Sequence, residues 1–113
     1  MKDKIAEERL QQQIFTWHWN TLPEQRGLLF MVHNNPANAR EGAKLKAMGM
    51  LAGVSDMIYL SPKGTPMFLE LKTAEGRQSA VQKQWQETIE NAGYRYCIIR
   101  SLDDFKKLIS AHE

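Results

Sequence analysis

The chain has 113 residues, 42% hydrophobic and 25% charged, with a formal net charge of +2 and a pI near 8.8. These values predict one globular domain, residues 1–113, with a single core, and a weak positive charge that permits a polyanionic partner without demanding one. The single cysteine, Cys97, excludes an intramolecular disulfide and a cysteine-based zinc cluster, and no apolar run reaches the roughly 18 residues of a membrane span.

Lys2-Asp3-Lys4 leads into a polar helix instead of an apolar leader, so a cytosolic location is expected. That helix is predicted over about residues 4–19, with Ile5, Leu10, Ile14, Trp17 and Phe15 on its apolar side and Thr21-Leu22-Pro23 ending it. Gly27 to Val32 is nearly all apolar and predicts a first strand buried on both faces. His33-Asn34-Asn35-Pro36 is a loop, and Asn38 is placed to cap a helix running from Ala39 to about Met48. Two strand-like runs follow, Met57-Ile58-Tyr59-Leu60 and Met67 to Lys72, joined by the turn-rich Ser61-Pro62-Lys63-Gly64-Thr65. Ser79 and Gln82 form a capping-box pattern opening a helix to about Asn91, with Val81, Trp85, Ile89 and Ala92 as its stripe and Gly93 as its stop. Tyr94 to Arg100 is a strand, and Asp103 to about Ala111 a closing helix. The order α-β-α-β-β-α-β-α predicts an α/β fold, a mixed β-sheet flanked by helices.

The hairpin carries the chemistry. Centring it on Lys63 sets Leu60 against Pro66, Ile58 against Phe68, and Asp56 against Glu70. Side chains alternate along a strand, so Glu70 and Lys72 share a face while Leu71 turns to the core. Directly opposed residues bring their Cβ atoms within roughly 4.5–5.5 Å. Two carboxylates that close repel, and one takes up a proton unless a cation holds both ionised. A register slip of one residue would send Asp56 to the opposite face.

Gly53-Val54-Ser55-Asp56, a hairpin, then Glu70-Leu71-Lys72 resembles the PD-(D/E)XK nuclease superfamily. The stretch Lys72-Thr73-Ala74-Glu75-Gly76-Arg77-Gln78-Ser79-Ala80-Val81-Gln82 is similar to the K-T-x-x-G-x-x-S-x-x-Q segment of VRR-NUC domains. Ala92 to Tyr96 and Ser101 to Phe105 resemble that family's closing strand and helix, and Glu7-Glu8-Arg9-Leu10-Gln11 its opening helix, so the likeness runs from about Glu7 to Ile109. One departure is Ser55, where the family usually has proline. The resemblance implies a restriction-endonuclease-like fold and a metal-dependent DNA endonuclease. Asp56, Glu70 and the Leu71 carbonyl would bind Mg²⁺ or Mn²⁺. Lys72 would polarise the attacking water, Gln82 would sit beside the active site, and Glu7, with Glu8 as a competitor, would be the N-terminal active-site glutamate. Small stand-alone members are expected to be homodimers acting on branched DNA such as four-way junctions, in bacteria or phage-infected cells.

Arg40, Lys44, Lys46, Arg77 and Lys83 are candidate phosphate contacts; solvated helix charges are the simpler explanation of each. Trp17, Trp19 and Trp85 read as core by their helical spacing, and His18, His33 and His112 form no ligand set. Gln82 is explained by capping alone, Glu7 by solvation, and Asn34 by its turn. Competing functions are a nucleic-acid-binding module of the same fold that does not cut, disfavoured by the retained carboxylate pair, and a hydrolase of a smaller phosphoester, disfavoured by the lack of a Gly-rich phosphate loop.

Overall fold

The computed structural model describes residues 2–33 and 36–112. Helix α1 (Lys2–Thr21) is followed by a short 3-10 turn (Pro23–Gln25), then β1 (Leu29–Met31), α2 (Ala39–Ala47), β2 (Met57–Leu60), β3 (Pro66–Leu71), α3 (Ala80–Asn91), β4 (Arg95–Ile99) and α4 (Leu102–Ala111). Apart from the 3-10 turn, this is the expected order. The four strands form one sheet in the order β1-β2-β3-β4, with antiparallel β1–β2 and β2–β3 pairs and a parallel β3–β4 pair reached through α3.

The hairpin has the expected register, with Ile58 opposite Phe68 and Leu60 opposite Pro66. Alternation then sorts β3 by face. Met67, Leu69 and Leu71 are buried with Leu10 and Ile14 of α1, Phe105 and Ile109 of α4, and Tyr59 of β2, which form the main core. Phe68, on the opposite face, meets Trp85 of α3 and Tyr94 edge to face. Helices α1 and α4 therefore cover one side of the sheet and α3 the other.

Local signals act as read. Asn38 accepts the Glu41 amide at the start of α2, and Ser79 and Gln82 close a reciprocal capping box on α3. Gly93 follows α3 at φ +94°, a conformation other residues rarely adopt.

Four expectations are corrected. The first strand is not buried on both faces: β1 is an edge strand, and Phe30 and Met31 are exposed beside buried Leu29. An apolar run reads as interior whether or not a second neighbour exists. Trp19 is not core; it is 42% exposed, stacked on Phe15 and covered by the Arg26 guanidinium. Ile5 is not core either; it is 51% exposed near the start of α1. Val81 and Ala92, at the two ends of the α3 stripe, are exposed, while Ile89 is buried and Trp85 half-buried. Asn34 lies outside the described residues.

His18 is buried, which lowers its pKa, and faces Gln25 Oε1 at 3.1 Å. Tyr59 donates to the same oxygen at 2.8 Å, so His18 must present a protonated Nε2 to it. Among the described residues no helix is long and apolar enough to cross a membrane.

Candidate active site

The β2–β3 ladder ends with Met57 opposite Leu69. Just before it the Asp56 amide donates to the same Leu69 carbonyl at 3.0 Å, one residue off the ladder register, and the Asp56 side chain meets that of Glu70. Asp56 is held a second time, because Oδ2 accepts the Leu71 amide at 2.7 Å. Ser55 is 1% exposed and its hydroxyl donates to the Met57 carbonyl at 3.2 Å, so it bridges the strand entry as a buried, satisfied group.

Glu70 is 1% exposed, unusual for a carboxylate, and its surroundings account for it. Oε2 accepts Gln82 Nε2 at 3.2 Å and lies 3.9 Å from the Lys72 ammonium. Oε1 accepts the Tyr96 hydroxyl at 3.3 Å. Burial pushes the Glu70 carboxyl up to about 8; the Asp56 charge and a hydrogen bond with Asp56 add to the rise, while Lys72 and Tyr96 oppose it. Two opposed carboxylates with one nearby cationic side chain therefore retain a proton near neutrality.

Lys72 is 7% exposed. Its stem runs under the turn after β3, where a Cβ built on Gly76 would lie 2.9 Å from Thr73 Oγ1 and 3.5 Å from Lys72 Cδ. The turn is fastened from outside by Arg100, whose Nη1 donates to the carbonyls of Thr73 and Gly76 at 2.7 Å each. Gln82 serves two elements at once. Its Oε1 accepts the Ser79 amide at 2.9 Å, capping α3, while Nε2 reaches Glu70. Val81, one residue earlier, touches the segment leading to Asp56. Gly53 has φ +83°, and a Cβ there would lie 2.6 Å from Val81 Cγ1 and 2.7 Å from its carbonyl oxygen.

The structure thus brings Asp56, Glu70, Lys72 and Gln82 together. The Leu71 side chain is in the core, and its backbone lies beside Asp56. Glu7 is half-buried on α1; Glu8 lines a groove with Gln11, Phe30 and Met31. Arg77 and Lys83 are exposed and, with Gln78 and Arg100, line an open depression of about 720 Å³. Arg40, Lys44 and Lys46 are exposed on α2, of which no residue is buried. Tyr96, Gln78 and Arg100 escaped the sequence reading. Tyr96 comes to the site through the parallel β3–β4 pairing, which no local pattern announces; Gln78 reaches it through the Tyr96 hydroxyl, and Arg100, just after β4, holds the turn after β3.

A divalent cation fits this donor set. Among the described residues no three His, Cys, Asp or Glu side chains cluster, so a nitrogen- and sulfur-rich zinc site has no basis. Two hard carboxylates beside a strand backbone suit a cation that keeps several waters, and its charge would offset the burial and the repulsion that hold the proton on the pair.

A family model described as the VRR-NUC domain matches residues 2–103. Among solved structures the chain is similar to one titled "VRR_NUC domain protein", at 21% identity and a TM-score of 0.67, over 94% of this chain and 86% of that one. No curated protein matches the sequence significantly.

Proposed function

We propose, from a chain that belongs to the VRR-NUC domain family of the PD-(D/E)XK nuclease superfamily, that this protein is a metal-dependent DNA endonuclease, structure-selective for branched DNA such as four-way junctions. The observation that carries it is the meeting of the half-buried Asp56 carboxylate with the buried Glu70 carboxyl, with the Lys72 ammonium 3.9 Å from Glu70.

Asp56, Glu70 and the Leu71 carbonyl would hold Mg²⁺ or Mn²⁺. When bound, such an ion lowers the pKa of a coordinated water and stabilises charge on the scissile phosphate. Lys72 orients the attacking water and places positive charge where negative charge develops. Gln82 holds the Glu70 carboxylate. Arg77 and Lys83, next to the site, and Arg40, Lys44 and Lys46 on α2 contact phosphates of the substrate strands. A role for Glu7 rests on family resemblance alone. Residues 1–113 act as one nuclease domain, and two copies related by a two-fold axis supply paired nicks on a junction.

Duplex, flap and four-way-junction DNA incubated with the protein in Mg²⁺, Mn²⁺ or EDTA test this. Metal-dependent cleavage favouring the junction is expected. Cleavage persisting in EDTA, or binding without cleavage in either metal, would refute it. Sedimentation showing only a 13.0 kDa species at micromolar concentration would remove the homodimer.

A further inference from the structure

Tyr96 is neither a hard-cation ligand nor a cationic phosphate contact, yet it is buried at 8% exposure against the site. Its ring meets Trp85 edge to face at 6.1 Å, enough to explain an aromatic there. The hydroxyl needs a separate account. It lies 3.1 Å from Gln78 Nε2 and 3.3 Å from Glu70 Oε1. An amide N–H can only donate, so the hydroxyl oxygen accepts from Gln78, and its one proton is left for Glu70. Gln78 Nε2 also donates to Gln86 Oε1 at 2.8 Å, which fixes the orientation of that amide. The chain of bonds therefore has a single direction, from Gln78 through Tyr96 to Glu70.

With Gln82 Nε2 on Oε2, Glu70 is held at both oxygens by neutral donors, and each oxygen keeps electron pairs for another partner. A free glutamate side chain has several torsions to freeze when it takes up a cation. Here they are frozen beforehand. We propose that Tyr96, oriented by Gln78, is a positioning residue that presets the Glu70 carboxylate for divalent-cation binding; this rests on the metal-dependent reading above. Outer partners of metal ligands commonly influence affinity by about 10–100-fold.

Tyr96→Phe removes the hydroxyl and keeps the ring against Trp85. Mn²⁺ binding to the full chain, measured by calorimetry at one pH, is expected to weaken by about 10–100-fold. The Mn²⁺ concentration for half-maximal cleavage should rise by the same factor, with the maximal rate recovered at saturating Mn²⁺. Gln78→Ala leaves Tyr96 in place but frees its hydroxyl, and should shift affinity in the same direction by less; it carries the test if Tyr96→Phe fails to fold. Affinities within twofold of wild type in both variants would overturn the proposal. So would a lowered maximal rate with an unchanged Mn²⁺ requirement, the mark of a packing role. Wild-type protein that binds no Mn²⁺ would instead sink the metal-dependent function, and this proposal with it.

Discussion

Asp56 Oδ2 accepts the Leu71 amide at 2.7 Å, so this carboxylate ties the entry of β2 to the end of β3 as well as facing Glu70. Asparagine at the same position can make that bond through its amide oxygen. Asp56→Asn is therefore expected to fold normally and to lose cleavage, whereas Asp56→Ala should also lose about 1 kcal/mol of stability by leaving the amide without its partner. Plasmid nicking and thermal melts in EDTA check both, and nicking by Asp56→Asn at the wild-type rate would remove Asp56 from the site.

Glu70 gives the metal-free protein a pH signature. Its folded-state pKa, about 8, lies above the ordinary 4.5, chiefly through burial and then through Asp56. A raised folded pKa stabilises below the unfolded value, and that contribution is lost as pH rises through the folded value. Melting temperature in EDTA should thus fall between about pH 4.5 and about pH 8, and Glu70→Gln should flatten the fall. Parallel curves for wild type and variant would show that Glu70 does not carry the proton.

Lys72 separates charge from packing. Lys72→Met keeps a long apolar stem under the Gly76 turn and removes the ammonium. The maximal cleavage rate should drop by about 10²–10³-fold, as for loss of one group stabilising transition-state charge. Mn²⁺ affinity should be unchanged or tighter, because a cation leaves the neighbourhood of Glu70. Single-turnover rates at saturating Mn²⁺ decide it, and a change under threefold would count against a catalytic role.

Arg77 and Lys83 line the depression beside the site. Arg77→Ala or Lys83→Ala should weaken binding to all arm sequences alike and flatten the slope of log affinity against log salt by about one unit per lost contact. Titrating inactive protein onto junctions of unrelated sequence measures both. A hundredfold preference for one sequence, or salt-insensitive affinity, would contradict phosphate-driven recognition.

The centre of the site is legible in the sequence because two short-range rules converge there. The Ser61–Thr65 turn fixes which residues of the hairpin face each other, and strand alternation puts Glu70 and Lys72 together. The double duty of Gln82 is half legible, as a capping box. What escapes depends on pairing across long separations. Phe68 lies beside Tyr96 and Glu70 beside Ile98 only once β4 docks parallel to β3. Burial fails at β1 for a related reason: composition records what a strand tolerates, while its neighbours decide how much of it is covered. Trp19 shows the same at the level of a side chain, its helical spacing suggesting core while Phe15 and Arg26 cover it at the surface.

The bare Cα of Gly53 sets the width of the cleft between the hairpin and α3. A single methyl there would collide with the Val81 side chain and its carbonyl, and the backbone atom cannot rotate away. Such a wedge would drive the first turn of α3, and Gln82 with it, away from Glu70 without altering any polar group. The site can thus be dismantled by thickness alone, and Gly53→Ala is a means of disabling it that replaces no charged residue.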